Sequence, residues 1–86
     1  MAWVYVLISQ RDKNRYIGST INLSKRLTEH NNGLVYSTRN RRPLVLYAYQ
    51  DFNNITEARL TEKKYKKSRG AYENAIRKGL LHVVGE

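Results

Sequence analysis

Trp3-Val4-Tyr5-Val6-Leu7-Ile8 and, ten intervening residues after Tyr5 (6 to 15), Tyr16-Ile17-Gly18 form the stretch whose reading decides the fold. The first segment is apolar on both parities and rich in β-branched and aromatic side chains, which predicts a strand covered on both faces, the centre of a sheet. Arg11-Asp12-Lys13-Asn14 is polar and suits a tight reversal, and Arg15 to Ser19 resumes a short strand, so the pair reads as a β-hairpin. Side chains alternate along a strand. An even number of loop residues therefore puts Tyr5 and Tyr16 on one face of the sheet, and an odd number puts them on opposite faces.

Outward from the hairpin, Asn22 is a good N-cap, Leu23 and Leu27 stand four apart, and Asn31-Asn32-Gly33 supplies a stop, predicting a helix over 23–32. At 100° per residue, Arg26 and His30 fall within about 60° of Leu23, on the side of Leu27. Two polar groups thus sit on the face turned to the sheet. A basic loop follows, with Arg39, Arg41 and Arg42 closed by the only proline, Pro43, and then Leu44 to Tyr49, a third strand apolar on both faces. Asn54 and Glu57 have the spacing of a capping box for a helix to about Lys67. Its inward stripe is Ile55, Ala58, Glu62 and Tyr65, with Lys63, Lys64 and Lys67 turning outward and Leu60 on the opposite side. Ser68 or Gly70 starts a last helix with Tyr72, Ala75 and Ile76 inward and Gly79 at its end, and Leu80 to Val84 either adds a short strand or packs. The whole, residues 1–86, reads as one α+β domain: a small three-stranded antiparallel sheet in β-β-α-β-α-α order, flanked by helices.

Sixteen Lys and Arg against seven Asp and Glu give a formal net charge of +9, so polyanions are the natural partners. The basic residues are interleaved with seven Tyr and face no contiguous apolar surface, which favours nucleic acid over membrane. The absence of cysteine excludes disulfide scaffolds and thiolate zinc sites and is compatible with a reducing, cytoplasmic setting. No apolar run has the length of a membrane span and no cleavable leader pattern opens the chain, so a soluble, unprocessed protein is expected.

A titratable group that faces a core is costly unless paired, hydrogen-bonded or bound to a metal, so Arg26, His30 and Glu62 require an account. One is structural: an Arg26–Glu62 ion pair and a satisfied interior histidine. The other comes from a resemblance. A Tyr in an apolar first strand, the ten-residue interval, Tyr16-Ile17-Gly18, and a helix with Arg and His four apart resemble the GIY-YIG nuclease domain. Tyr36-Ser37-Thr38-Arg39 and Arg41-Arg42-Pro43-Leu44 resemble its small stand-alone bacterial members, and the likeness continues through Ala58-Arg59-Leu60-Thr61-Glu62-Lys63-Lys64, covering residues 3 to 78. The second motif is intact. The first departs from Gly-Ile-Tyr, with Trp3-Val4-Tyr5 in its place.

The resemblance implies a metal-dependent DNA endonuclease, structure-selective or weakly specific, of the kind used in DNA repair or recombination. Glu62 matches the glutamate that binds one divalent ion, Mg²⁺ with Mn²⁺ as a substitute, a hard cation that takes oxygen ligands and keeps water in its other positions. Arg26 matches an arginine that holds the phosphate. Tyr5 and Tyr16 match the paired tyrosines beside the attacking water, and because a phenol titrates near ~10, one acting as base needs a proton acceptor, the position that His30 matches. Gly18 would admit phosphate or water close to the backbone or relieve crowding at a strand end. Asn74 would be an accessory near the metal or phosphate, and Arg39, Arg41, Arg42, Lys63 and Lys67 would grip flanking phosphates. Larger members carry extra DNA-binding modules, so recognition here would come from the domain itself, a homo-oligomer or a partner protein. The alternatives are a nucleic-acid-binding module that keeps the fold without turnover, and a basic protein acting only on another protein.

Overall fold

The computed structural model describes residues 1–84. Its hairpin is β1, Ala2–Ser9, and β2, Arg15–Thr20. Ile8 pairs with Arg15, leaving the even run 9 to 14 between them, and this register sets Tyr5 opposite Gly18 and Leu7 opposite Tyr16. Tyr5 and Tyr16 therefore share a face. The loop is held by Ser9, whose Oγ accepts the N–H groups of Arg11 and Asp12 and donates to the Arg41 carbonyl at 2.6 Å.

Helix α1, Leu23–Asn31, begins where the Asn22 side chain accepts the Lys25 N–H. A bond of this kind stabilises a helix start by about 1 kcal/mol. Asn31 ties its other end to the sheet, because its amide both accepts from Leu44 N and donates to Leu44 O, at 2.8 and 2.9 Å. A 3₁₀ turn, Arg39–Arg41, leads into β3, Leu44–Phe52, which extends past the predicted Tyr49 because it pairs with β1 along its whole length. Its start is less covered than an apolar run implies. Val45 is 47% exposed, as the next strand reaches only the middle of β3.

Helix α2, Ile55–Lys67, is capped by Asn54 through the Glu57 N–H, so Glu57 contributes its backbone while its side chain stays exposed. Helix α3, Arg69–Arg77, starts at Ser68, which accepts from Ala71 N, and closes before Gly79 at φ +79. The sheet has four strands, one more than predicted: β4, His82–Val83, pairs with Ala48 and Tyr49, giving the antiparallel order β2-β1-β3-β4. It takes up the first of the two options open for Leu80 to Val84; two residues carry too little pattern to choose between a strand and packing, because their pairing is non-local.

Because β1 is central, its alternating side chains feed two cores. Ala2, Val4 and Val6 join Ile17, Ala48, Ala58, Tyr65, Tyr72, Ala75 and Leu81 under α2 and α3. Tyr5, Leu7 and Leu44 pack on the other face with Tyr16, Leu23, Leu27 and Leu46, under α1. The α2 stripe is as expected, and Leu60, 65% exposed, lies outside it in a shallow groove with Lys63, Lys64 and Lys67. Among the described residues, no helix is long and apolar enough to cross a membrane.

Candidate active site

The unusual residues of the chain gather around β2, the edge strand. Tyr16 and Gly18 point to the α1 side of the sheet with Tyr5, while Ile17 and Ser19 point to the α2 side.

On the α1 side, Tyr5 and His30 are buried, 1% and 0% exposed, and linked by a 2.8 Å hydrogen bond from Tyr5 Oη to His30 Nε2. The other ring nitrogen, Nδ1, lies 2.7 Å from Oγ1 of Thr38, also fully buried. Arg26 Nε donates to Tyr5 Oη at 3.4 Å. A guanidinium N–H can only donate, so the phenol oxygen accepts it and its proton is directed at His30; we assign the Nδ1–H tautomer on that basis, with Thr38 as acceptor. Tyr16 completes the cluster. Its ring stands edge-on to His30 at 5.1 Å and 6.3 Å from the Tyr5 ring.

Burial pushes the Tyr5 phenol up to about 12, outweighing the Arg26 hydrogen bond that lowers it. Burial, then the charge of Arg26, holds His30 down to about 4. Both shifts favour the neutral form, so the resting pair is a phenol and an imidazole free to accept a proton. Arg26 itself is held in its charged form, chiefly by its bond to Tyr5. The Arg26–Glu62 pair is not formed: Arg26 binds Glu29, one turn along the same helix, at 3.1 Å.

Gly18 sits directly across from Tyr5, and a Cβ there would come within 2.5 Å of Tyr5 Oη and 2.6 Å of Cζ. The tyrosine ring fills the space that a side chain at this position would take.

On the α2 side, Glu62 is anchored to β2. One carboxylate oxygen accepts from Ser19 Oγ at 2.5 Å and the other from Lys66 Nζ at 2.6 Å, and the side chain is 20% exposed. Lys66 also lies 5.7 Å from the centre of the Tyr16 ring, so the carboxylate and the tyrosine cluster meet at the rim of β2. Among the described residues no three His, Cys, Asp or Glu side chains gather. An oxygen-only donor set with a single carboxylate nevertheless suits Mg²⁺, which retains several waters. Lys66 would have to yield one oxygen to it.

The remaining predicted residues divide. Arg39 lies over the exposed Tyr36 ring at 4.8 Å, and Arg42, whose Nε donates to Arg39 O, shares an open depression with Arg39, Arg11 and Pro43. Arg41 is occupied otherwise. It pairs with Asp12 at 2.7 Å and donates to the carbonyls of Asn14 and Arg15, bracing the hairpin loop. Lys63 and Lys67 are exposed on the outer face of α2. Asn74 joins none of these groups: it is exposed on α3 and bonded to Arg77. Twelve positions beyond Glu62 and across the α2–α3 break, helical spacing no longer fixes which way a residue points. The cluster also holds Ser19 and Thr38, which sequence reasoning left without a role, and Lys66, a member of the basic run from Lys63 to Arg69 that was expected to face phosphate and not Glu62. Lys66, one turn after Glu62, had a readable signal in its i, i+4 spacing; Ser19 and Thr38 meet their partners only through the fold.

The chain matches the family model of the GIY-YIG catalytic domain over residues 1–75. It is also similar to UPF0213 protein CPE1444 of Clostridium perfringens (strain 13 / Type A), with 41% identity over 68 residues, covering 78% of this chain and 72% of the relative. No solved structure matches it.

Proposed function

Because the chain belongs to the GIY-YIG catalytic domain family, whose fold is of nuclease type, we propose that it is a metal-dependent DNA endonuclease that hydrolyses phosphodiester bonds. The observation that carries this reading is the buried Tyr5–His30–Thr38 chain with Arg26 on the same phenol oxygen. Among the described residues, the side chains that hydrogen-bond the Tyr5 phenol are this histidine and the partly exposed guanidinium, a pairing that links a proton acceptor to a phosphate-binding group through one oxygen.

In this mechanism Arg26 binds the scissile phosphate and offsets the charge that builds on its oxygens during attack. A water in line with the scissile bond gives its proton to Tyr5 Oη while Tyr5 passes its own proton to His30 Nε2. No free phenolate accumulates, which matters for a phenol pushed up to about 12. The phosphate that pairs with Arg26 also screens the guanidinium from His30 and so removes one of the two causes that hold the imidazole down. Thr38 fixes the tautomer that leaves Nε2 free, and Tyr16 fixes the plane of the ring. Glu62 would hold Mg²⁺ or Mn²⁺. When bound, such an ion supplies positive charge beside the phosphate and the departing oxygen. Arg39, Arg42, Lys63 and Lys67 would add phosphate contacts without sequence preference, consistent with a structure-selective or weakly specific enzyme serving DNA repair or recombination.

The test is incubation of branched, flapped and plain duplex DNA with Mg²⁺, Mn²⁺ or EDTA. Cleavage that requires the metal and vanishes in Tyr5→Phe and Glu62→Gln is expected. Salt-sensitive binding with no cleavage of any substrate would instead establish a module that keeps the fold without turnover.

A further inference from the structure

Two aromatic side chains on the α1 side of the sheet belong to neither core. Trp3 precedes Tyr5 by two residues on β1 and so shares its face, and Tyr49 pairs directly with Tyr5 from β3; both remain partly exposed and outside the two buried clusters. β4 extends the row. His82 pairs with Tyr49, their ring centres 5.5 Å apart at 42°. Helix α1 covers the Leu7, Leu44 and Leu46 end of this face and leaves the Trp3 end open, bordered by the partly exposed Thr20 and the exposed Asp51, each paired with Trp3.

We propose that Trp3, Tyr49 and His82 form a stacking shelf for unpaired bases, so that the nucleic acid presenting its phosphate to Arg26 carries a single-stranded segment beside the scissile bond. The proposal rests on the nuclease reading for the position of that phosphate. Three observations support it. The shelf starts one strand spacing, about 4.8 Å, from Tyr5, so a nucleotide next to the reacting phosphate reaches it without spanning a gap. The chain carries a formal charge of +9, yet the group at the rim of the shelf is the Asp51 carboxylate, which repels phosphate and leaves bases as the part of the polyanion able to lie there. Ring faces accept any base with an exposed π-surface, and bases inside a duplex have none to offer.

Trp3 is the only tryptophan of the chain, which makes the shelf its own reporter. In EDTA, so that no cleavage occurs, the protein is titrated with a twelve-residue oligodeoxyuridylate, the oligouridylate that differs from it only in the 2′-hydroxyls, an abasic oligomer of equal length and a hairpin duplex closed by loops at both ends. Quenching of Trp3 by the single strands, with little response to the abasic oligomer or the duplex, is expected; whichever of the two single strands quenches at lower concentration assigns the segment to DNA or RNA. Anisotropy of the labelled single strand should show Tyr49→Ala weakening binding by roughly 5- to 150-fold, with Tyr49→Phe close to wild type. His82→Ala, on a short exposed strand, provides a second variant should Tyr49→Ala fail to fold. Equal quenching by the abasic oligomer or the duplex, or unchanged affinity in both alanine variants, overturns the shelf. Cleavage of duplex DNA with Mg²⁺ but no Trp3 response to single strands removes the shelf and leaves the nuclease, whereas a base-dependent Trp3 response with no cleavage under any metal removes the nuclease and leaves the shelf.

Discussion

Tyr5 Oη and His30 Nε2 lie 2.8 Å apart in a pocket where both side chains are buried, although the residues are 25 positions apart in the chain. Their bond joins the central strand to the one helix that covers that face, and it aims the tyrosine proton at a nitrogen that is neutral at physiological pH.

If the two act as one relay, removing either should cost about as much as removing both. Tyr5→Phe and His30→Gln are each expected to lower the single-turnover cleavage rate by roughly 10²- to 10⁴-fold. The double variant should fall no further than the worse of the two, and multiplied losses in the same assay would show that the residues act independently.

Burial of neutral His30 makes stability depend on pH. Its folded value, about 4, lies below the ordinary 6.5, so between these values the unfolded chain binds more protons and stability falls as pH falls. Urea unfolding at pH 7.0 and pH 4.5 should differ by a few kcal/mol. His30→Gln should flatten the slope in that window while leaving the loss below about pH 4, where Asp12, held at about 2 chiefly by its bond to Arg41, begins to contribute.

Gly18→Ala places a methyl group within 2.6 Å of Tyr5 Cζ as well as 2.5 Å of Oη. Overpacking of this kind costs about 1–3 kcal/mol. Removing the hydroxyl alone, in Gly18→Ala/Tyr5→Phe, should not restore the thermal midpoint, because the ring carbon still clashes. In a Tyr5→Leu background, where the ring is gone, Gly18→Ala should lower the midpoint little further, and full recovery with Phe would mean that the strand pair, not the ring, absorbs the methyl.

Glu62 is paired with Lys66 through a partly exposed contact, of a class worth roughly 0–1 kcal/mol. Lys66→Met should therefore raise Mn²⁺ affinity only a few-fold, as read by titration calorimetry, whereas Glu62→Gln should abolish binding. A large gain in Lys66→Met would mean that the lysine governs access to the site.

The arginines of the basic loop should separate in a salt titration of DNA binding. Arg39→Ala and Arg42→Ala are each expected to lower the slope of log K against log salt by about one. Arg41→Ala, whose guanidinium is engaged by Asp12 and two carbonyls, should lower the melting temperature and leave the slope nearly unchanged.

Much of the framework was legible from local chemistry alone. Asn22, Asn54 and Ser68 each accept the N–H three residues on, and the apolar run of β1 does become a strand buried on both faces, because caps and periodicity act within one turn or one strand. The inward placement of Arg26, His30 and Glu62 was likewise set by helical spacing. What spacing left open was their partners. The parity of the hairpin decided that Tyr5 and Tyr16 share a face; the docking of the basic loop brought Thr38 to His30; and the packing of α2 on β2 gave Glu62 to Ser19, while Lys66 meets it through the i, i+4 spacing of their own helix. The place of Asn74 beyond the α2–α3 break, and the choice between a strand and packing at Leu80 to Val84, were open for the same reason. A sequence determines the direction of a side chain relative to its own element, which depends on periodicity; which groups it meets depends on how elements dock, and only the tertiary structure decides that.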